Sequence, residues 1–282
     1  MSRRRPLRAW TTVVVAAAAG LVLGSAALPA AAAPPEPPRG SVAVIGDFGS
    51  GSTAERRVAD LVRAARPVAI VTTGDNVYDD RGYADLVGGY YGAWVKARAL
   101  LPAVGNHDHA LGISAFDDYF TYLAGRHVYS VGRGGMRFFV LDSQTALDSP
   151  VSMARQRAWL KRSLSGSKAR WKVVVLHHPP YSSGAHGSSA EFRWPFAAWG
   201  ADLVLSGHDH DYERISAARM TYVVDGAGGQ DLRPFGPLIS GSRARTDGDF
   251  GALFLTASTR SLTGEFWSAT GALVDRFVLT PR

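Results

Sequence analysis

Short apolar runs recur along the chain from residue 40 onward, and clusters of glycine and polar residues follow them. SVAVI (41–45), VAIVTT (68–73), LLPAV (100–104), MRFFVLD (136–142), WKVVVL (171–176) and ADLVL (201–205) have the length and β-branched content of buried strands. Helical spacing fills the gaps. Ser52 or Thr53 caps a predicted helix through Arg66, with Val58, Leu61 and Val62 on one face. Further helices are predicted over Tyr83–Trp94, Ala115–Leu123, Ala154–Leu164 and Ala190–Trp199. TYVVDG, ALFLTAS, GEFWSA and LVDRFVL predict a closing run of strands joined by turns such as SATG. The glycine-rich stretch from Asp225 to Phe250 is expected to be irregular. Alternating strands and helices closed by antiparallel strands predict an α/β fold, with layered sheets between helices in one domain over residues 41–282.

Composition changes this picture at the N-terminus. Residues 1–33 hold Arg3, Arg4, Arg5 and Arg8 and no acid, followed by an apolar run and an alanine-rich end. That is the pattern of a secretory signal peptide, with an uncleaved membrane anchor as the alternative; the alanine-rich end and the proline-rich linker favour cleavage, expected near Ala30 to Ala32. SRRRPLR also resembles a twin-arginine signal, with Pro6 where an aromatic residue or leucine is usual. Residues 34–40 form a proline-rich linker. The protein is thus expected to be secreted, without stable membrane association after cleavage. The formal charge of +7 falls to +3 once the four leader arginines are set aside, so charge gives little support to a nucleic-acid partner. The chain has no cysteine, which excludes a disulfide, a thiolate metal site and a cysteine nucleophile.

The chemistry gathers behind the strands. SVAVI ends in Gly46-Asp47, VAIVTT in Gly74-Asp75 with Tyr78 beyond, and LLPAV in Gly105-Asn106-His107-Asp108. WKVVVL ends in His177-His178, and ADLVL in Ser206-Gly207-His208-Asp209-His210. Ligands bind outside the carboxyl ends of strands in such sheets, so parallel neighbours would bring these residues to one rim. The glycines permit sharp exits and close approach. Taken singly, Asp47 or Asp75 reads as a helix cap, Asn106 as a turn former and His177 as a core histidine. Together, six of the eight histidines lie in or beside these strand ends. Asp, Asn and His with a possible Tyr suit a hard or borderline metal such as iron, zinc or manganese.

GDFG, GDNVY, GNHD, VVLHHPPY and GHDHDYER, in this order and spacing, resemble the motif series of the purple acid phosphatases, within the calcineurin-like metallophosphoesterases. The match runs over residues 41–216 and resembles the short, single-domain form. It implies a four-layer α/β/β/α sandwich, two mixed sheets flanked by helices. Most of the superfamily opens with Asp-x-His. Here the motif is Asp47-Phe48-Gly49, and the purple enzymes make the same omission and supply a tyrosinate, at the position of Tyr78. The resemblance implies that Asp47, Asp75, Tyr78 and His210 hold Fe(III). It implies that Asp75 bridges to a divalent iron, zinc or manganese held by Asn106, His177 and His208. The family's His-x-Pro register selects His177 over His178. His107 would assist the leaving group, and His186 resembles another substrate-side histidine. The implied activity is hydrolysis of small phosphate monoesters in acid by a metal-held hydroxide. A phosphodiesterase or nucleotidase with the same metals is the alternative, and a non-catalytic phosphate- or metal-binding protein is the third.

Overall fold

The computed structural model describes Met1 and residues 36–281. Apart from Met1, the expected leader lies outside these residues. Thirteen strands form two sheets among the described residues. The first sheet contains β1 (Val42–Ile45), β2 (Ala69–Thr72), β3 (Leu100–Pro102), β11 (Gly251–Ala257), β12 (Leu262–Ser268) and β13 (Leu273–Leu279) in the order β13-β12-β11-β1-β2-β3. The second contains β4 (Tyr129–Arg133), β5 (Met136–Val140), β6 (Trp171–Val175), β7 (Leu203–Ser206), β8 (Tyr212–Ala217), β9 (Met220–Asp225) and β10 (Ser242–Thr246) in the order β10-β8-β9-β7-β6-β5-β4. Both are mixed. β1, β2 and β3 run parallel, as do β5, β6, β7 and β9, and the remaining pairs are antiparallel.

Successive side chains of a strand face opposite ways, and this sorts the core into three layers. Val42 and Val44 of β1 point between the sheets, where they join Val71, Phe138, Val140, Val173, Val175, Leu203, Leu205, Leu253 and Leu255. Ala43 and Ile45 point outward onto helix α1 (Thr53–Ala65), meeting Val58 and Val62. Across the molecule, Phe139, Val174 and Val204 face outward onto Leu160 and Leu164 of α7 (Pro150–Gly166). Both faces of each central strand are therefore covered, which explains why these strands read as unbroken apolar runs. The result is the helix–sheet–sheet–helix sandwich.

Several elements differ from expectation. The helix predicted over Tyr83–Trp94 is two helices, α2 (Gly82–Leu86) and α3 (Gly88–Lys96). The one predicted over Ala190–Trp199 is a short 3-10 turn at Ala190–Phe192 and then α8 (Phe196–Trp199), because Pro195 interrupts it. Ala115–Leu123 ends early, as α5 (Ile113–Tyr119) followed by a 3-10 turn. Short helices α4 (Asn106–Ala110) and α6 (Ser143–Asp148) follow β3 and β5. The segment expected to be irregular contains β10, an edge strand paired with β8. Finally, the strand ends bearing the polar motifs do not share one sheet. Those of β1, β2 and β3 lie on the first sheet, and those of β6 and β7 on the second. The two rims are stitched together by Thr73 Oγ1 donating to the Asp225 carbonyl (3.0 Å), Gly228 N–H to Gly46 (2.9 Å) and Gln230 N–H to Asp47 (2.9 Å).

Candidate dinuclear metal centre

At these joined rims the backbone takes an unusual path. Asp47, Asp75 and His208 all have positive φ, at 54°, 51° and 72°. Aspartate and histidine tolerate this left-handed region better than most residues, though still at some cost. The exit turns are thus made by the polar residues themselves. Gly46, Gly105 and Gly207 serve by their lack of a side chain. A Cβ on Gly46 would collide with Thr73 and the Asp225 carbonyl, one on Gly105 with Asp75, and one on Gly207 with Asp47. Only Gly74, at φ 104°, also needs its conformational freedom. Because His208 is left-handed, the His208–His210 pair is not an extended segment with both rings on one face.

The side chains form two groups. In the first, the Tyr78 hydroxyl lies 3.1 Å from Asp47 Oδ1, 3.3 Å from Asp75 Oδ2 and 3.1 Å from His210 Nε2. In the second, Asn106 Oδ1 lies 2.9 Å from His177 Nε2 and 3.0 Å from His208 Nδ1, while His177 Nε2 is 3.3 Å from Asp75 Oδ2. Asp75 Oδ2 is common to both. Asp47, Asp75, His177 and His210 are buried at the floor, and Tyr78, Asn106 and His208 are half-buried above them.

Supporting bonds aim these atoms. His177 Nδ1 is 2.9 Å from the Thr73 carbonyl, which as its partner leaves the Nε2 lone pair facing the site. Asp231 does the same for His210, with its carbonyl 2.8 Å and its carboxylate 3.1 Å from Nδ1. Each group therefore holds more lone pairs than protons. A cation satisfies that imbalance, and the Asp, Asn, His and Tyr donors suit one. Asp47, Asp75 and His177 alone offer three ligand atoms within 4.8 Å of one another.

Electrostatics agree. Burial, and then Asp47 and Asp75, push the Tyr78 phenol well above its ordinary range. Burial would lower His177, but the Asp75 and Asp47 carboxylates outweigh it and lift the imidazole to about 9. Without a cation, a proton thus stands on His177 in its place. Burial and the neighbouring His177 hold His208 down at about 2.

The remaining sequence candidates lie close by. His107 donates its backbone N–H to Asp75 Oδ1 (2.8 Å), and its ring lies 4.3 Å from that of Tyr78. The His186 ring stacks 4.3 Å from His208, at the exposed mouth. His178 turns aside, its Nδ1 2.9 Å from Ser143 Oγ. Sequence reasoning assigned no role to Asp108, which accepts from Gly105 N–H, Asn76 Nδ2 and the Tyr83 hydroxyl and so fixes the start of α4. Nor did it single out Asp231, which lies in the glycine-rich stretch without a repeating pattern. Asp209 anchors the loop carrying His186, accepting from Ser182 and from the N–H groups of His186 (2.6 Å) and Gly187 (3.2 Å).

A second polar cluster holds the outer end of α4 to the opposite sheet. Asp142 lies 3.1 Å from His109 Nε2 and 3.6 Å from His127 Nδ1. Bonding to Asp142 raises both imidazoles above their ordinary value. Burial alone would raise Asp142, but His109, His127 and Thr145 outweigh it and hold its carboxyl low. The signs give a window. The histidine contribution is complete below an unfolded pKa of about 6.5 and is lost as pH rises through the raised folded values. The aspartate contribution is complete above an unfolded pKa of about 3.9 and is lost as pH falls towards its depressed value. Asp142→Asn keeps the cap of α6 and removes the charge. Its Tm deficit against wild type should be several degrees near pH 5 and should shrink towards pH 8. A deficit independent of pH would show that the cluster is uncharged.

Comparison with known proteins follows this geometry. The calcineurin-like phosphoesterase family matches residues 40–212. Purple acid phosphatase 17 of Arabidopsis thaliana is 26% identical over 234 residues, covering 68% of this chain and 69% of that protein. Purple acid phosphatase PPD1 from yellow lupin superposes with a TM-score of 0.68 at 19% identity, over 88% of this chain and 55% of its own. The structure of GAP50, described as the anchor in the inner membrane complex of Plasmodium, superposes with a TM-score of 0.70 at 19% identity, over 86% and 88% of the two chains. A fold shared by phosphatase and anchor does not decide function, and the site must. The family match does place the protein: the chain belongs to the calcineurin-like phosphoesterases, a family of metal-dependent phosphohydrolases.

Proposed function

We propose that the protein is a secreted acid phosphatase that hydrolyses small phosphate monoesters at a dinuclear Fe(III)–M(II) centre, with the catalytic domain spanning residues 41–282 after removal of the leader. The observation that carries this reading is the pair of donor groups sharing Asp75 Oδ2. Asp47, Asp75, Tyr78 and His210 would hold Fe(III), the phenol giving up its proton. Asp75, Asn106, His177 and His208 would hold a divalent iron, zinc or manganese. Two such cations neutralise phosphate charge and acidify bound water, the more so when one is trivalent.

The chain supplies the rest. His107, seated on α4 by its bond to Asp75, would give a proton to the departing ester oxygen. His186 faces the mouth and contacts the substrate's outer atoms. The buried floor keeps Asp47, Asp75 and His177 away from bulk water. Among the described residues no helix is long and apolar enough to cross a membrane.

Purified protein should contain two metals, one of them iron, and should cleave p-nitrophenyl phosphate faster in acid than at pH 8. Preference for bis(p-nitrophenyl) phosphate would instead favour a phosphodiesterase. Protein with both metals and no activity on either ester would point to a binding role.

A further inference from the structure

The segment after β9 passes over the mouth of the metal centre, and Arg233 lies on it. Its backbone N–H donates to the His210 carbonyl (3.1 Å), which fixes the residue against the strand end that carries two of the ligands. Its Nε meets Asp231 Oδ2 at 3.3 Å. Its Nη1 meets His186 Nε2, and His186 in turn stacks on His208. The residue is therefore placed at the site by one backbone and two guanidinium contacts, to the ligand candidate His210, to its support Asp231 and to the substrate-side His186. The side chain is 31% exposed, so the fork remains open to solvent on one side.

We propose that Arg233 is a substrate-binding and specificity-determining residue, which with His186 grips the peripheral oxygens of a dianionic phosphate and so selects monoesters over diesters. This rests on the phosphatase reading above. Asp231 compensates the positive charge only in part, because it is 61% exposed and also serves His210. A guanidinium offers five N–H donors in a planar fork matched to two phosphate oxygens. A monoester presents such a pair with two negative charges. A diester presents one charge, and its second ester group occupies the space the fork would fill. No motif marks Arg233, because the residue lies in an irregular stretch and reaches the site only through the fold.

The test is to make Arg233→Gln and Arg233→Lys in the metal-loaded enzyme. KM for p-nitrophenyl phosphate and the inhibition constant of inorganic phosphate should each rise by about tenfold or more in Arg233→Gln, as for loss of a charge-assisted bond, with Arg233→Lys between it and wild type. The kcat/KM for bis(p-nitrophenyl) phosphate should change much less, so the monoester-to-diester ratio falls. Metal content should stay at wild-type level. An unchanged ratio, whether both esters lose equally or neither does, overturns the proposal and leaves Arg233 as a surface support. Calorimetric titration with inorganic phosphate separates this from failure of the phosphatase reading. If the wild type cleaves neither ester, weaker phosphate binding by Arg233→Gln still supports the anion grip. Equal binding by both proteins, or none by the wild type, overturns it.

Discussion

Asp75→Asn should abolish hydrolysis while leaving the protein folded. The carboxylate oxygen Oδ2 lies within 3.3 Å of both Tyr78 and His177, so it is the one atom the two donor groups share. Replacing it with an amide removes the charge and turns N–H donors towards any cation. Both cations should weaken at once, and the loss should exceed the ~10²–10³-fold seen when one electrostatic contact is removed from an active site. Asparagine is a cleaner probe than alanine. Residue 75 sits at φ 51°, a left-handed conformation that asparagine tolerates and that costs most other residues about 1–2 kcal/mol. The amide oxygen can also keep the bond from His107 N–H. Stability of the metal-free protein should fall, because the buried Asp75 carboxylate pairs with the protonated His177 imidazole 3.3 Å away, a pairing worth more than the relief its loss would give the buried Asp47 carboxyl. His178→Ala is the control, since its ring points to Ser143 and should cost far less activity than His177→Ala. Assay of kcat and metal content across these variants decides the matter. An Asp75→Asn enzyme with near wild-type turnover and two metals would refute the shared-ligand geometry.

The parts legible in the sequence were those governed by local pattern. Ser52 was readable as a cap of α1, and its hydroxyl does accept Glu55 N–H at 3.0 Å. The central strands announced themselves because burial on both faces leaves no polar alternation. Hairpins show where legibility ends. β4 turns into β5 through Gly134-Gly135, both at positive φ, a pair that signals a two-residue turn and could have revealed β4. β8 turns into β9 through Ala218-Arg219, also at positive φ, with no glycine to mark them. The same limit applies to the site. Four of the five strand ends carried their own signal of glycine followed by Asp, Asn or His, and the fifth carried the pair His177-His178. Asp231 and Arg233 carried none, because their relation to His210 is made by a loop returning across the rim. Even the strand ends were readable only one by one. That they belong to two sheets, facing each other, depends on pairings that no single segment encodes.

Tyr78→Phe should remove the colour of the iron-loaded protein and spare its fold. In the metal-free chain the phenol shares one proton with three neighbours, Asp47 Oδ1, Asp75 Oδ2 and His210 Nε2. Burial and the two carboxylates push its ionisation well above the ordinary range, so Tyr78 should stay protonated in the metal-free protein. A trivalent cation at that point would reverse the sign, since its charge would favour the phenolate more strongly than burial and the two carboxylates oppose it. Phenolate bound to Fe(III) absorbs visible light by ligand-to-metal charge transfer. The band should therefore appear on loading with Fe(III) and be absent with zinc or manganese alone. Phenylalanine keeps the ring against His107 and deletes only the oxygen. Loss of that hydrogen bond should cost the metal-free protein about 0.5–1.5 kcal/mol, offset in part by the fewer buried polar atoms. Iron should bind more weakly, by more than the 10–100-fold expected for losing an outer support. Activity should fall less than in His208→Ala if the divalent cation remains, because the Tyr78 hydroxyl sits in the group formed with Asp47 and His210. The deciding measurement is the visible spectrum of both proteins with iron content measured alongside. A Tyr78→Phe protein that binds iron and keeps the wild-type band would exclude Tyr78 as the ligand, and a fully active wild type with two metals but no iron would exclude Fe(III) from the site.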